Sequence, residues 1–200
     1  MKKAVLTILL VAVAGLLVYW LGCKGKEKPA GEEQKEQPVA IGANTDAFNT
    51  SFRNLLTAYY NVKDALFAGD TARASAAALT LATASDSLKL DLIQGDSTGV
   101  IKETAKIYTG TIVGSATALA GENSLDNKRK EFANTADALW TLIRTVKYSG
   151  EKLYWDYCPM AFNNKGAYWV SNELTIKNPY FGSQMPTCGN VEDSLDYSKK

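Results

Sequence analysis

The chain has 200 residues, a formal net charge of +1 at pH 7 and no histidine. A near-neutral chain lacks the basic surface that nucleic acid requires, so we exclude the class of nucleic-acid-binding proteins. The absence of histidine removes the commonest general base and the commonest metal ligand. The sequence also contains no nucleophile elbow, no phosphate-binding loop and no register of paired acids. It therefore predicts a protein that is not an enzyme.

The first 23 residues have the pattern of an export signal that ends in a membrane anchor. A basic start at residues 1–3 precedes residues 4–22, which contain no charge. The end of this run, Leu21-Gly22-Cys23, resembles a lipobox, where bacteria attach lipid to the cysteine and cleave before it. The alternative is an uncleaved transmembrane anchor. We favour a lipoprotein lipidated at Cys23, because the apolar run ends there; both alternatives place the rest of the chain in the periplasm-facing cell envelope.

A charged segment separates this anchor from the rest of the chain. Residues 24–43 read KGKEKPAGEEQKEQPVAIGA and contain almost no apolar side chain before Val39. Such a composition cannot bury enough surface to order itself, so we predict a flexible tether. Residues 44–195 are then long enough to form one domain with its own core.

Four segments of this domain have apolar residues at helical spacing, and they are separated near residues 69, 95–99 and 121–123. Thr45 or Asp46, then Asp70, and later Ser124 can cap helix starts. The pattern predicts a mainly α fold, an up-down four-helix bundle. We interpret the basic run Lys128-Arg129-Lys130 as a solvated face. The residues predicted to face the core are Phe48, Phe52, Leu55, Tyr59, Val62 and Leu66; Ala74, Ala77, Leu81, Ser85, Leu88 and Leu92; Ile101, Ala105, Tyr108, Ile112, Ala116 and Leu119; and Leu125, Phe132, Ala136, Leu139, Ile143 and Val146.

The helical period ends at Gly150, and residues 151–190 have a different character. Aromatic and turn-forming residues are dense there, which indicates an ordered, loop-rich segment with short strands at 167–170 and 174–176. We expect its aromatic side chains to cover one end or one side of the bundle.

Two sulfur-containing motifs lie in this segment, Cys158-Pro-Met160 and Met185-Pro-Thr-Cys188. Soft sulfur ligands without imidazole select Cu(I), so these four side chains are candidate metal ligands. The alternative is a disulfide, because the predicted compartment is oxidising, and on the chain-entropy model it would stabilise the fold by about 3.5 kcal/mol. The two forms can also be two states of one pair.

Several motifs resemble a bacterial domain of unknown function. They are Tyr157-Cys158-Pro159-Met160-Ala161, Asn164-Lys165-Gly166-Ala167-Tyr168-Trp169-Val170-Ser171, Lys177-Asn178-Pro179-Tyr180-Phe181-Gly182, Met185-Pro-Thr-Cys188-Gly189 and, in the first helix, Ala58-Tyr59-Tyr60-Asn61-Val62-Lys63-Asp64-Ala65-Leu66. The family is found in lipoproteins and at the C-terminus of periplasmic adaptor subunits of heavy-metal efflux pumps of the resistance-nodulation-division type. The resemblance covers about residues 45–192. It implies a role in metal efflux, with copper as the metal, a pump adaptor as partner, and Cys158, Met160, Met185 and Cys188 as ligands.

Two functions follow as expectations. The first is an envelope-anchored protein that binds Cu(I) and is associated with efflux or metal homeostasis. The second is a structural or interaction domain in which a Cys158–Cys188 disulfide stabilises a surface that docks a periplasmic partner.

Overall fold

A computed structural model of the chain describes residues 44–198, which lie within one compact unit. The predicted export signal, the lipidation site Cys23 and the tether lie outside the described residues. The described part begins with four long helices and ends with a small sheet.

The four helices are α1 (Asp46–Ala68), α2 (Thr71–Asp86), α3 (Val100–Gly121) and α4 (Leu125–Val146). Each helix packs against the next one along the chain, and α1 also contacts α4. The predicted helical bundle is therefore confirmed. None of the helices in residues 44–198 combines the length and the apolar composition that crossing a membrane requires.

The helix starts are capped as the sequence predicts. The side chain of Thr45 accepts a hydrogen bond from the Phe48 N–H, and Asp70 and Ser124 make the equivalent contact at the starts of α2 and α4. Gly69 ends α1 in the left-handed conformation, with φ of 72°. Local signals therefore fix where three of the four helices begin.

The predicted stripes form the core, with small differences in phase. Phe52 and Ile143 are fully buried and Leu81 is 1% exposed. In α2 the predicted Ala74 is buried, but the next buried alanine is Ala78, whereas the predicted Ala77 is partly buried. Helix α2 also ends earlier than the stripe predicts, and a 3-10 turn follows at Leu90–Leu92. The Ser87 hydroxyl donates a hydrogen bond to the Thr83 carbonyl at 2.8 Å and so competes with the helical backbone, which accounts for the early end.

The basic run near the start of α4 is not a solvated face, so that interpretation is wrong for two of its three residues. Lys128 is 1% exposed, and its ammonium donates hydrogen bonds to Ser75 Oγ at 2.6 Å and to the Leu119 carbonyl at 2.9 Å. It thereby satisfies a carbonyl in the last turn of α3, where the helix dipole favours a cation. Arg129 donates to the Pro179 carbonyl at 3.0 Å and joins α4 to the C-terminal segment.

The C-terminal segment forms a three-stranded antiparallel sheet in the order β2-β1-β3. Its strands are β1 (Leu153–Cys158), β2 (Ala167–Ser171) and β3 (Asn190–Leu195). A short, irregular helical turn, α5 (Ala161–Asn164), joins β1 to β2, and a 3-10 turn at Gly182–Gln184 precedes β3. The strand predicted at 167–170 is confirmed, whereas the one predicted at 174–176 is wrong and β1 and β3 were missed.

The sheet packs on the bundle through aromatic side chains, as the sequence predicts. Tyr59 of α1 accepts a hydrogen bond from the backbone N–H of Val170 in β2 at 3.0 Å. Trp155 of β1 stacks on Trp140 of α4, with ring centroids 5.0 Å apart. The long-range contacts that order the segment are therefore made to α1 and α4.

Candidate metal site

The structure brings two of the four predicted sulfur ligands together. The Sγ atoms of Cys158 and Cys188 are 2.9 Å apart, although the residues are thirty positions apart in the chain. Both cysteines are free thiols. Cys158 is fully buried, whereas Cys188 is partly exposed. The pair is thus a dithiol with one inner and one outer sulfur.

The sheet register places the two cysteines side by side. Cys158 is the last residue of β1 and lies opposite Ala167 of β2. On its other side, Tyr157 lies opposite Asn190, so Cys188 reaches the end of β1 two residues before β3 begins. Gly189 lies between Cys188 and the first residue of β3 and has φ of 137°. A Cβ there would lie 2.7 Å from the Tyr157 carbonyl oxygen. This close backbone approach requires glycine.

Asn178 fixes the loop that carries Cys188. It is fully buried, and its side-chain amide donates to the Cys188 carbonyl at 2.8 Å. Its side-chain oxygen accepts from the backbone N–H groups of Tyr180 and Phe181, and its own backbone N–H donates to the Pro186 carbonyl at 3.0 Å. One asparagine therefore joins both ends of the loop. The sequence shows this residue only as part of an Asn-Pro turn.

The neighbouring sulfur of Cys158 changes the pKa of the Cys188 thiol. The hydrogen bond to Cys158, burial and the Cys158 charge, in that order, raise the pKa of Cys188 to about 11. At neutral pH the outer thiol therefore keeps its proton. A metal ion that binds both sulfurs as thiolates has to displace that proton, so its affinity falls as the pH falls.

The two predicted thioether ligands, Met160 and Met185, both lie between Cys158 and Cys188 in the chain. Met160 is 44% exposed and lines a cavity of about 550 Å³ together with Arg129 and Phe162. Met185 is partly buried, and its carbonyl accepts a hydrogen bond from the Cys188 N–H at 3.2 Å. A thioether ligand from either residue stays a prediction. Within residues 44–198, no three histidine, cysteine, aspartate or glutamate side chains are grouped to hold a metal ion.

The turn after Met160 contains unusual backbone. Phe162, Asn163 and Asn164 are three consecutive residues with left-handed φ between 53° and 64°. Asparagine tolerates this region, but a bulky residue such as phenylalanine is rarely found there. The Phe162 ring packs edge-on against Tyr180, with centroids 5.3 Å apart, and this contact supports the strained turn.

A buried carboxyl group lies two residues before the inner cysteine, and sequence reasoning missed it. Asp156 is fully buried opposite Trp169 of β2, and neither of its oxygens makes a hydrogen bond of ordinary length to a described residue. Burial raises the pKa of Asp156 to about 7, and the nearby Lys63 ammonium and the Trp169 indole limit that rise. An aspartate between Trp155 and Tyr157 in a dense aromatic run is the signal that could have identified it.

Comparison with known proteins identifies a family for the helical part. The profile of a family described as "Protein of unknown function (DUF3347)" matches residues 55–150. The match runs from within α1 to just beyond α4 and confirms the resemblance to a family of unknown function that the sequence motifs predict. A search of curated proteins finds no match, and a search of solved structures finds none either. The matched residues end before the sheet and its cysteines, so the lipoprotein and efflux context stays a prediction.

Proposed function

We propose that this protein is an envelope-anchored binding module that takes up Cu(I) at the Cys158–Cys188 pair and serves heavy-metal efflux or homeostasis. The observation that supports the proposal most directly is the 2.9 Å approach of two free thiols from distant parts of the chain. Thiolates are the ligands that soft metal ions prefer, and Cu(I) accepts a low coordination number.

The donor set suits this ion. Cys158 and Cys188 would bind as thiolates, and Met160 or Met185 could add a neutral thioether from the same two motifs. Bound Cu(I) would supply soft Lewis acidity that draws both sulfurs into the thiolate form. The protein would supply a fixed loop, since Asn178 positions the backbone of Cys188 before any metal arrives.

The location and the partner rest on the sequence. A basic start, an uncharged run and a lipobox-like Cys23 support anchoring in the envelope. The motif resemblance supports a periplasmic pump adaptor as the acceptor of the metal. We therefore propose a buffer or donor of Cu(I) on the periplasmic side.

A competition titration tests the metal site. Reduced protein should take Cu(I) from a coloured chelator with a stoichiometry of one ion per chain. Cys158→Ser and Cys188→Ser should each lose this uptake, and Met160→Leu should weaken it less because a thioether carries no charge. Cys23→Ser is the matched control, and it should bind Cu(I) as the wild type does. Equal uptake by the wild type and the double variant lacking Cys158 and Cys188 would contradict the proposal.

The second candidate function is that of a structural domain with a Cys158–Cys188 disulfide that docks a partner. The burial of Cys158 and the short distance between the sulfurs favour it. Free thiols counted in protein taken directly from the cell envelope distinguish the two candidates. A fully oxidised pair that stays oxidised when cells are grown with copper supports the structural disulfide alone.

A further inference from the structure

We infer that Cys188 is a thiol–disulfide exchange site, at which external disulfides and dithiols enter, and that Cys158 is its resolving partner. The substrate class is an organic disulfide or dithiol, such as oxidised glutathione or the reactive pair of an oxidoreductase. The inference goes beyond metal uptake and does not depend on it.

The two sulfurs differ in their access to solvent. Thiol–disulfide exchange requires the attacking sulfur, the central sulfur and the leaving sulfur to lie nearly in line, so the attacked sulfur must be reachable from solvent. Cys158 is fully buried at the end of β1, with β2 on one side and the Cys188 loop on the other. Cys188 is partly exposed in a loop. An external molecule can therefore reach the outer sulfur and not the inner one.

The inner sulfur lies close enough to the outer one to resolve a mixed disulfide. Once Cys188 carries a mixed disulfide, the Cys158 sulfur lies at the distance where it can attack, because the two Sγ atoms are 2.9 Å apart in the reduced form. Such proximity gives the resolving step a high effective concentration relative to a second external thiol. The mixed disulfide is thus a short-lived intermediate.

Oxidation of the pair by glutathione disulfide takes two exchange steps. Cys188 attacks oxidised glutathione, an S–S bond forms at Cys188, and one glutathione leaves with the Cys188 proton. Cys158 then attacks the Cys188 sulfur, the Cys158–Cys188 bond forms, and the second glutathione leaves with the Cys158 proton. Two protein thiols lose two electrons and two protons, and one glutathione disulfide becomes two thiols.

The reverse direction uses the same sulfur. A dithiol attacks Cys188 of the oxidised pair, and Cys158 leaves. The second thiol of that dithiol then attacks the mixed disulfide, a disulfide forms within the reductant, and Cys188 leaves with its proton. Reduction would restore the dithiol, and oxidation would remove both thiolate ligands at once.

The test compares two single-thiol proteins in the full chain with Cys23→Ser. One carries Cys158→Ser and keeps Cys188; the other carries Cys188→Ser and keeps Cys158. Each is incubated with oxidised glutathione, and the mixed disulfide is followed by intact mass spectrometry. Cys188 should react at least about tenfold faster, because Cys158 reacts only after local opening of the fold. In denaturant the two rates should become similar.

Wild-type protein gives a test that needs no serine variant. Brief labelling of the reduced chain with iodoacetamide, followed by peptide mapping, should label Cys188 before Cys158. Equal labelling of both cysteines in folded protein, or faster reaction of Cys158 in either experiment, would overturn the inference. A chain that shows the expected order but binds no Cu(I) contradicts the proposed function alone.

Discussion

The helical bundle and the C-terminal segment reach their order by different routes. In the bundle, caps such as Thr45 and Asp70 lie within three residues of the N–H groups that they satisfy. In the C-terminal segment, the contacts that matter join distant residues: Cys158 meets Cys188, and Tyr59 meets Val170. Both regions bury polar groups, among them Lys128 in the bundle and Asp156 and Asn178 in the segment. The candidate chemistry lies where order depends on long-range polar contacts.

The largest effect that we expect to separate the two regions concerns Asp156 of the C-terminal segment. Its pKa is about 7 in the fold against 3.8 when unperturbed, so the unfolded chain releases the proton first as the pH rises. Stability is therefore lost between about pH 4 and pH 7, and the loss from this group amounts to about 4 kcal/mol. Asp156→Asn should remove that loss. The free energy of unfolding of the variant, measured with urea, should therefore increase relative to that of the wild type as the pH rises from 4 to 8.

The groups that face Asp156 define the control for this experiment. They are Lys63 and Tyr59 of α1 and Trp169 of β2, with Lys63 opposing the rise in the pKa. Asp193→Asn, which removes an exposed carboxylate from the neighbouring strand β3, is the matched control. Parallel pH profiles for the wild type and Asp156→Asn would show that Asp156 is ionised in the fold.

The next effect concerns Asn178, the polar residue that joins both ends of the Cys188 loop. Asn178→Ala leaves the Cys188 carbonyl and the Tyr180 N–H without their partners. Each buried group left unpaired costs about 1–3 kcal/mol, so we expect a loss of about 2 kcal/mol in the free energy of unfolding. Thiol labelling of Cys158 should also become faster.

Asn134→Ala is the matched control, because Asn134 lies on the exposed face of α4 and bonds only to the neighbouring Glu131 in the described structure. Its effect should stay within about 0.5 kcal/mol, as is usual for surface changes. If the two alanine variants were equally stable, the loop would not depend on Asn178.

The smallest effect tests the glycines of the two regions. Gly110 lies inside α3, and a Cβ there would meet nothing within 4 Å. Gly110→Ala should therefore raise the free energy of unfolding by about 0.5–1 kcal/mol, because alanine favours the helix. Gly189→Ala should lower it, since its Cβ would lie 2.7 Å from a backbone oxygen and its φ is 137°. In thermal unfolding, glycine-to-alanine substitution should therefore raise the Tm at position 110 and lower it at position 189. A shift of Tm in the same direction at both positions would contradict the difference between the regions.

The sequence predicted much of the bundle because helices depend on local signals. Spacing identified the buried faces, and caps located three of the helix starts. It failed where a long-range contact decided the outcome. Lys128 is charged and belongs to a basic run, yet it is buried because the carbonyl of Leu119 and the hydroxyl of Ser75 accept its hydrogen bonds. Strand β3 has the polar sequence NVEDSL and pairs only because β1 lies beside it.

By itself, the sequence determined the helical class, the helix starts at Asp46, Thr71 and Leu125, and the concentration of sulfur between residues 158 and 188. Only the tertiary structure decided the strand order β2-β1-β3, the burial of Asp156 and the 2.9 Å approach of Cys158 to Cys188. The physical reason is range. A helix satisfies its backbone within four residues, whereas a strand and a two-sulfur site need partners that the chain supplies tens of residues away.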